Sequence, residues 1–133
     1  MVQVGDMVEE THLITQDMVN QFADLSGDRN PLHVDKDFAS RTSFGRPIAH
    51  GILVASFFSA LVAEKLPGPG SIYMRQEFKF KKPAFIGEKL RVRVEVLKIR
   101  TGKPIFTLRT VCFNGDDEII LDGQAVIYKP HTA

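Results

Sequence analysis

An aspartate and a histidine stand five positions apart, at Asp28 and His33, in the string Gly27-Asp28-Arg29-Asn30-Pro31-Leu32-His33. Pro31 fixes its own φ and steers Asn30 away from the α region, so the segment reads as a stiff loop. A carboxylate and an imidazole can take a proton from one atom of a bound molecule and deliver one to another near neutral pH, and few other pairs do so without a metal. Such two-group chemistry needs a separation set by the backbone, which a rigid loop supplies. Taken alone, Asp-x-Asn-Pro also fits a plain Asx turn, so the pair acquires meaning from what surrounds it.

Upstream, residues 7–14 show weak alternation and read as a first strand. Thr15 is a fitting N-cap, with Asp17 in the first turn favourable to the helix dipole. Met18, Val19, Phe22 and Leu25 follow at helical spacing and predict an amphipathic helix over 16–25, ended by Ser26-Gly27. After the loop, Asp35 caps a short helix that holds Phe38 and Ala39. Pro47 and Gly51 punctuate the chain before a long apolar helix, roughly 52–65, which Leu66-Pro67-Gly68-Pro69-Gly70 stops. The apolar run from Ile48 to Ala63 is broken by His50, Gly51, Ser56 and Ser59, too short and interrupted for a membrane span, so it reads as a buried helix.

The second half alternates with period two. Ile72, Met74, Phe78 and Phe80 share one face, opposite Tyr73, Arg75, Glu77 and Lys79. Leu90, Val92, Val94 and Val96 alternate with Arg91, Arg93 and Glu95. Segments 104–113 and 118–128 are further strands joined by the turn-forming Asn114-Gly115-Asp116-Asp117. The pattern predicts an antiparallel sheet with one buried face, packed around a helix that is apolar nearly all round and so covered on every side. The class is α+β.

A chain of 133 residues fits one domain, 1–133, and can bury a core. With 44% hydrophobic and 25% charged residues and a formal net charge of +1, its composition points to neither nucleic acid nor a membrane surface. The single cysteine, Cys112, excludes an intramolecular disulfide and a multi-cysteine metal site, and suits a small core position. The N-terminus lacks a basic region followed by an apolar run, so no signal peptide is read there, and a cytoplasmic location is expected, or the mitochondrial matrix after removal of a transit peptide. His12 and His131 carry no chemical argument, and His131 lies in what reads as a frayed tail.

The string Phe22-Ala23-Asp24-Leu25-Ser26-Gly27-Asp28-Arg29-Asn30-Pro31-Leu32-His33, with Ala39 after five further residues, resembles the hydratase motif of the MaoC-like, R-specific enoyl-CoA hydratases. Gly45-Arg46-Pro47-Ile48-Ala49-His50-Gly51, the Pro67–Gly70 stop and Phe78-Lys79-Phe80-Lys81-Lys82-Pro83 extend the likeness over nearly the whole chain. The resemblance implies a hot-dog fold, in which an antiparallel sheet wraps a long central helix, and a homodimer with active sites near the subunit interface. It implies reversible hydration of a trans-2-enoyl thioester to the (R)-3-hydroxyacyl thioester, with CoA as part of the substrate and neither metal nor redox cofactor.

That reaction needs a base for the attacking water, an acid for the α-carbon and donors for the thioester oxygen as it gains enolate charge. Asp28 and His33 supply the first two, and a close pair titrates as a unit, so the division between them stays open. Gly51, at the start of the buried helix, offers a free backbone N–H aligned with the helix dipole and no Cβ to block a carbonyl. The resemblance places Ser59 near the catalytic aspartate, and Asn30 holds the loop or helps place the water. His50 either lines the pocket or is structural. Phe58 and Val62 of the central helix and Ile127 of the last strand are expected to line the acyl pocket. Lys79, Lys81 and Lys82, or Arg100 and Lys103, either face solvent or meet the phosphates of CoA or a carrier-protein arm. Two rivals share the fold: a thioesterase, which would release free thiol, and a non-catalytic acyl-binding module. The same dehydratase chemistry on acyl carrier protein is the nearer alternative.

Overall fold

The computed structural model describes residues 1–130, so His131 lies outside the described residues. Strand β1 (Met7–Leu13) ends at Thr15, whose hydroxyl accepts from the Met18 amide at 3.1 Å and starts α1 (Gln16–Ser26). Gly27 closes α1 in the left-handed region at φ 82°, which glycine adopts without the Cβ penalty. Val19 and Ala23 form the buried stripe, while Leu25 stands 86% exposed, outside it. The segment expected to be all loop contains a helical turn, α2 (Pro31–Val34), because Pro31 occupies its first position, where a missing N–H costs nothing, and Asn30 caps it. Asp35 then caps α3 (Lys36–Ser40).

The long helix α4 (Gly51–Glu64) follows, then β2 (Ile72–Phe80), β3 (Lys89–Ile99), β4 (Ile105–Phe113) and β5 (Ile119–Tyr128). The five strands form one sheet in the order β1-β3-β4-β5-β2, every pair antiparallel. The α+β expectation and the strand set are therefore met. Leu90, Val92, Val94 and Val96 of β3 are all fully buried, as their alternation predicts. They pack with Leu108, Ala125 and Ile127 of the sheet against Val54, Phe58, Leu61 and Val62 of α4. Burying a phenylalanine the size of Phe58 contributes about 2–3 kcal/mol, which makes α4 the main support of the sheet. Cys112 lies fully buried in the same core. Burial pushes its thiol up to about 12.

Two expectations change. The face of α4 carrying Ile52, Ser56, Ser59, Ala60 and Ala63 is exposed, Ile52 by 61%, because the chain's single sheet covers only the opposite side. In β2, the register with β5 shifts between Tyr73 and Arg75, an extra residue at Met74. Such a bulge inverts the faces on either side of it. Tyr73 pairs with buried Ile127 and Gln76 with buried Ala125, so these two share the inward face with Phe78 and Phe80, while Ile72 turns outward. Burial pushes the Tyr73 phenol up to about 12.

Across from Phe78, Gly123 lets β2 cross closely over β5: a Cβ there would lie 1.8 Å from the Glu77 carbonyl oxygen. Only backbone movement could relieve that overlap. Gly123→Ala is expected to cost about 2 kcal/mol or more in urea or thermal unfolding, the upper range for overpacking. Parental stability would show that β2 sits further from β5.

Candidate active site

The loop after α1 is shaped by its own side chains. The Ser26 hydroxyl donates to the Phe22 carbonyl at 2.7 Å and accepts from the Asp28 amide at 3.1 Å. Asp28 Oδ1 accepts from the Asn30 amide at 3.2 Å, and Asn30 Oδ1 accepts from the Leu32 amide at 3.1 Å. These are two consecutive Asx turns, the ordinary meaning of such residues, and here they lead directly into the turn that carries His33. Arg29 leans back on α1, paired with Asp24 at 3.0 Å.

The buried His33 ring is oriented by the strap leading into α4: its Nδ1–H donates to the Ile48 carbonyl at 2.6 Å. A carbonyl can only accept, so Nδ1 carries the proton and, in the neutral ring, Nε2 keeps its lone pair. His50, 2% exposed, sends its Nε2–H back to the Asp28 carbonyl at 3.0 Å. The His33 and His50 ring centroids lie 4.0 Å apart at 34°, and Phe22 flanks His50 at 4.8 Å. His50 Nδ1 is buried with no partner among the described residues.

His50 is the N-cap residue of α4 but makes no side-chain capping bond. The first amides of α4 are thus left without a cap at the positive end of the helix dipole. Gly51 opens α4 and lines a cavity of about 480 Å³ together with His33, Ile48, Phe80, Lys81 and Ile120. The Phe80 ring fits into the notch left by glycine: a Cβ on Gly51 would fall 2.6 Å from Phe80 Cε1.

Asp28, His33 and His50 bring ligating atoms within 4.8 Å of one another, so a metal ion is a fair question. Each imidazole donates one ring N–H to a carbonyl, and the two rings lie tilted by 34° with their centroids 4.0 Å apart. A carboxylate and an imidazole this close can also transfer protons without a metal. Burial is the largest influence on His33 and holds its pKa below the usual 6.5, helped by the neighbouring His50 charge and opposed by the Ile48 carbonyl and Asp28.

The structure brings Asp28, His33, His50 and Gly51 into one neighbourhood, with Asn30 serving as the α2 cap that holds the loop. It does not bring in the expected acyl-pocket residues. Phe58, Val62 and Ile127 are consumed by packing between α4 and the sheet, at 0%, 1% and 0% exposure. Val54, Phe44, Phe80 and Ile120 line the cavity in their place. Ser59 lies on the exposed face of α4 and does not line the cavity. Of the basic residues, Lys81 and Lys82 stand at the cavity, Lys82 paired with Glu118, whereas Lys79, Arg100 and Lys103 do not line it. Phe44 carried no sequence signal, being an isolated aromatic in a loop of polar residues, and Phe80 read simply as part of a buried strand face.

Residues 3–111 match the MaoC like domain. The chain belongs to the MaoC-like family. Within it, this MaoC-like protein is 48% identical over 112 residues to the (R)-specific enoyl-CoA hydratase of Aeromonas caviae, covering 84% of each chain. It is 42% identical to the 3-hydroxybutyryl-CoA dehydratase of Methylorubrum extorquens over 82% of this chain and 69% of that one. Among solved structures, the (R)-hydratase from A. caviae involved in PHA biosynthesis superposes with a TM-score of 0.95 at 43% identity, covering 97% of this chain and 98% of that one. The hot-dog expectation is met by this likeness.

Because His33 resists protonation in the fold, it links stability to pH. Above 6.5 the ring is neutral whether the chain is folded or not; below it the unfolded chain takes up a proton that the folded site disfavours, so stability falls on acidification. Between about pH 7.5 and 5.5, the melting temperature of the parent protein should drop more than that of His33→Gln, as scanning calorimetry can measure. Parallel slopes would mean that His33 is not held neutral.

Proposed function

We propose that this protein is an R-specific trans-2-enoyl-CoA hydratase, adding water reversibly and syn to give (R)-3-hydroxyacyl-CoA. The observation that carries the reading is a cavity lined by His33 and by Gly51 at the uncapped start of α4, with the Asp28 carboxylate within 4.8 Å of a His33 ring nitrogen. The water oxygen bonds to C3 as one of its protons passes to the Asp28–His33 pair, and the pair delivers a proton to C2. Between these events the electron pair of the double bond rests on the thioester oxygen, where the Gly51 N–H donates to it. Both transfers occur from the side of the double bond that faces Asp28 and His33, which makes the addition syn.

Hydration moves no net electrons and so calls for no redox cofactor; in this reading Asp28, His33 and the Gly51 amide supply the proton transfer and charge stabilisation without a metal, and CoA enters only as part of the substrate. The acyl chain lies against Val54, Phe80, Phe44 and Ile120. A homodimer belongs to the same proposal. The exposed face of α4, with Ile52 at 61%, and the exposed Ile72 and Met74 of β2 form apolar surface that a second copy would cover. The 133 residues act here as one hot-dog domain. No helix among the described residues is long and apolar enough to cross a membrane. The proposed setting is the cytoplasm, or the mitochondrial matrix if a transit peptide has been removed. CoA ranks ahead of acyl carrier protein because the relatives at 48% and 42% identity are named for CoA substrates.

Loss of enoyl-thioester absorbance with crotonyl-CoA, followed by chiral analysis of the product, tests the assignment. The expected product is (R)-3-hydroxybutyryl-CoA, without release of free thiol; thiol release would identify a thioesterase instead. Asp28→Asn and His33→Gln should each lower kcat by about 100-fold or more, the usual range for losing a proton-transfer group. Parental rates from either variant would refute the mechanism. A strong preference for the carrier-bound substrate over crotonyl-CoA would reverse the order of the two thioesters.

A further inference from the structure

His50 is an unexpected residue for its position. The residue before a helix is best served by Ser, Thr, Asp or Asn, whose short side chains bond to the first free amides. His50 makes no such bond and reaches away from its own helix, to a carbonyl 22 residues back in the chain. It is also a poor choice as filler. Its ring is 2% exposed and its Nδ1 has no partner among the described residues, a burden an apolar side chain of similar volume would not carry. What the imidazole does provide is a donor and a flat face. The donor holds the Asp28 backbone at 3.0 Å, and the face lies 4.0 Å from His33. The next residue in the chain is Gly51.

We infer that His50 is a positioning residue for the hydration reaction: by donating its Nε2–H to the Asp28 carbonyl and packing its ring against His33, it sets both proton-transfer groups relative to the Gly51 amide. This inference rests on the hydratase reading above. His50 is not among the residues that line the cavity, so it acts through its neighbours and not on the substrate. Its effect is geometric. Without the donor, Asp28 is held only by local Asx and serine contacts, on an exposed loop. Without the ring, His33 loses the wall opposite its Ile48 bond and can tilt. Small displacements of this kind lower turnover much more than binding.

Two substitutions separate the donor from the ring. His50→Phe keeps the ring and removes the donor; His50→Gln removes the ring, but its side-chain amide can still reach the Asp28 carbonyl. With crotonyl-CoA, His50→Phe is expected to lower kcat by roughly 10- to 100-fold with KM within about threefold of the parent. His50→Gln should recover a substantial part of that loss. A third variant, His50→Ala, removes donor and ring together and should lower kcat at least as far as His50→Phe, with KM again near the parent value. Parental kcat in His50→Phe would overturn the inference. So would equal losses in His50→Phe and His50→Gln that simply track their melting temperatures, or, should His50→Phe fail to fold, a parental kcat in His50→Ala. A parent protein that does not hydrate crotonyl-CoA would instead remove the hydratase reading itself, a result distinguishable from these because it appears before any substitution is made.

Discussion

Two imidazole-to-carbonyl hydrogen bonds run in opposite directions between the same two stretches of chain, and the rest of the site depends on them. His33, on the α2 turn, donates to Ile48; His50, two residues further along the strap, donates to Asp28. Each stretch therefore holds the other, and neither can shift without breaking one of these bonds, of which the one to Ile48 is buried. Leaving such a group unsatisfied costs about 1–3 kcal/mol, so the clasp is stiff on the scale of thermal motion. It also settles the tautomers: both histidines spend one nitrogen on the clasp, and His33 faces the cavity with the other.

The fold supplies the frame for that clasp. Helix α4 begins where the strap ends, and its buried side, from Val54 to Val62, is anchored against β3, β4 and β5. A helix seated that firmly presents its first amides in a fixed direction. The strap is held from its other side by the Ala49 amide, which donates to the Ala84 carbonyl at 2.8 Å, and by a bridge between Ile48 and Phe85. Core packing is thus transmitted to the chemistry through a few backbone bonds. The Asp28 loop, by contrast, is exposed and relies on local side-chain contacts, which makes it the part most in need of an external tie.

Much of this was legible in the sequence because it is local. Thr15 and Gly27 bound α1 through their own preferences, the β3 valines declare a buried face by spacing, and the Asp28-to-His33 string carries its turn chemistry in its residue types. The parts that were not legible depend on partners distant in the chain. In the run from Ile72 to Phe80 the sole break in alternation is the polar Gln76 between Arg75 and Glu77, which does not say where an extra residue sits; the register against β5 places it at Met74. Phe58, Val62 and Ile127 were sensible candidates for a pocket wall on hydrophobicity alone, but a helix and a sheet pressed together leave no room between them. Pro31 was read as a loop stiffener when its fixed φ serves equally well to begin a helical turn.

The notch at Gly51 limits what can be learned by altering that residue. Any side chain added there meets the Phe80 ring at 2.6 Å, and the ring, which lines the cavity at the end of a flexible side chain, would have to move aside. The backbone donor would survive the change while its aromatic neighbour moved. Sluggish turnover in an alanine replacement would then report a displaced ring, not a missing amide, and weighing the amide's contribution calls for removing the N–H itself, by an ester in the main chain.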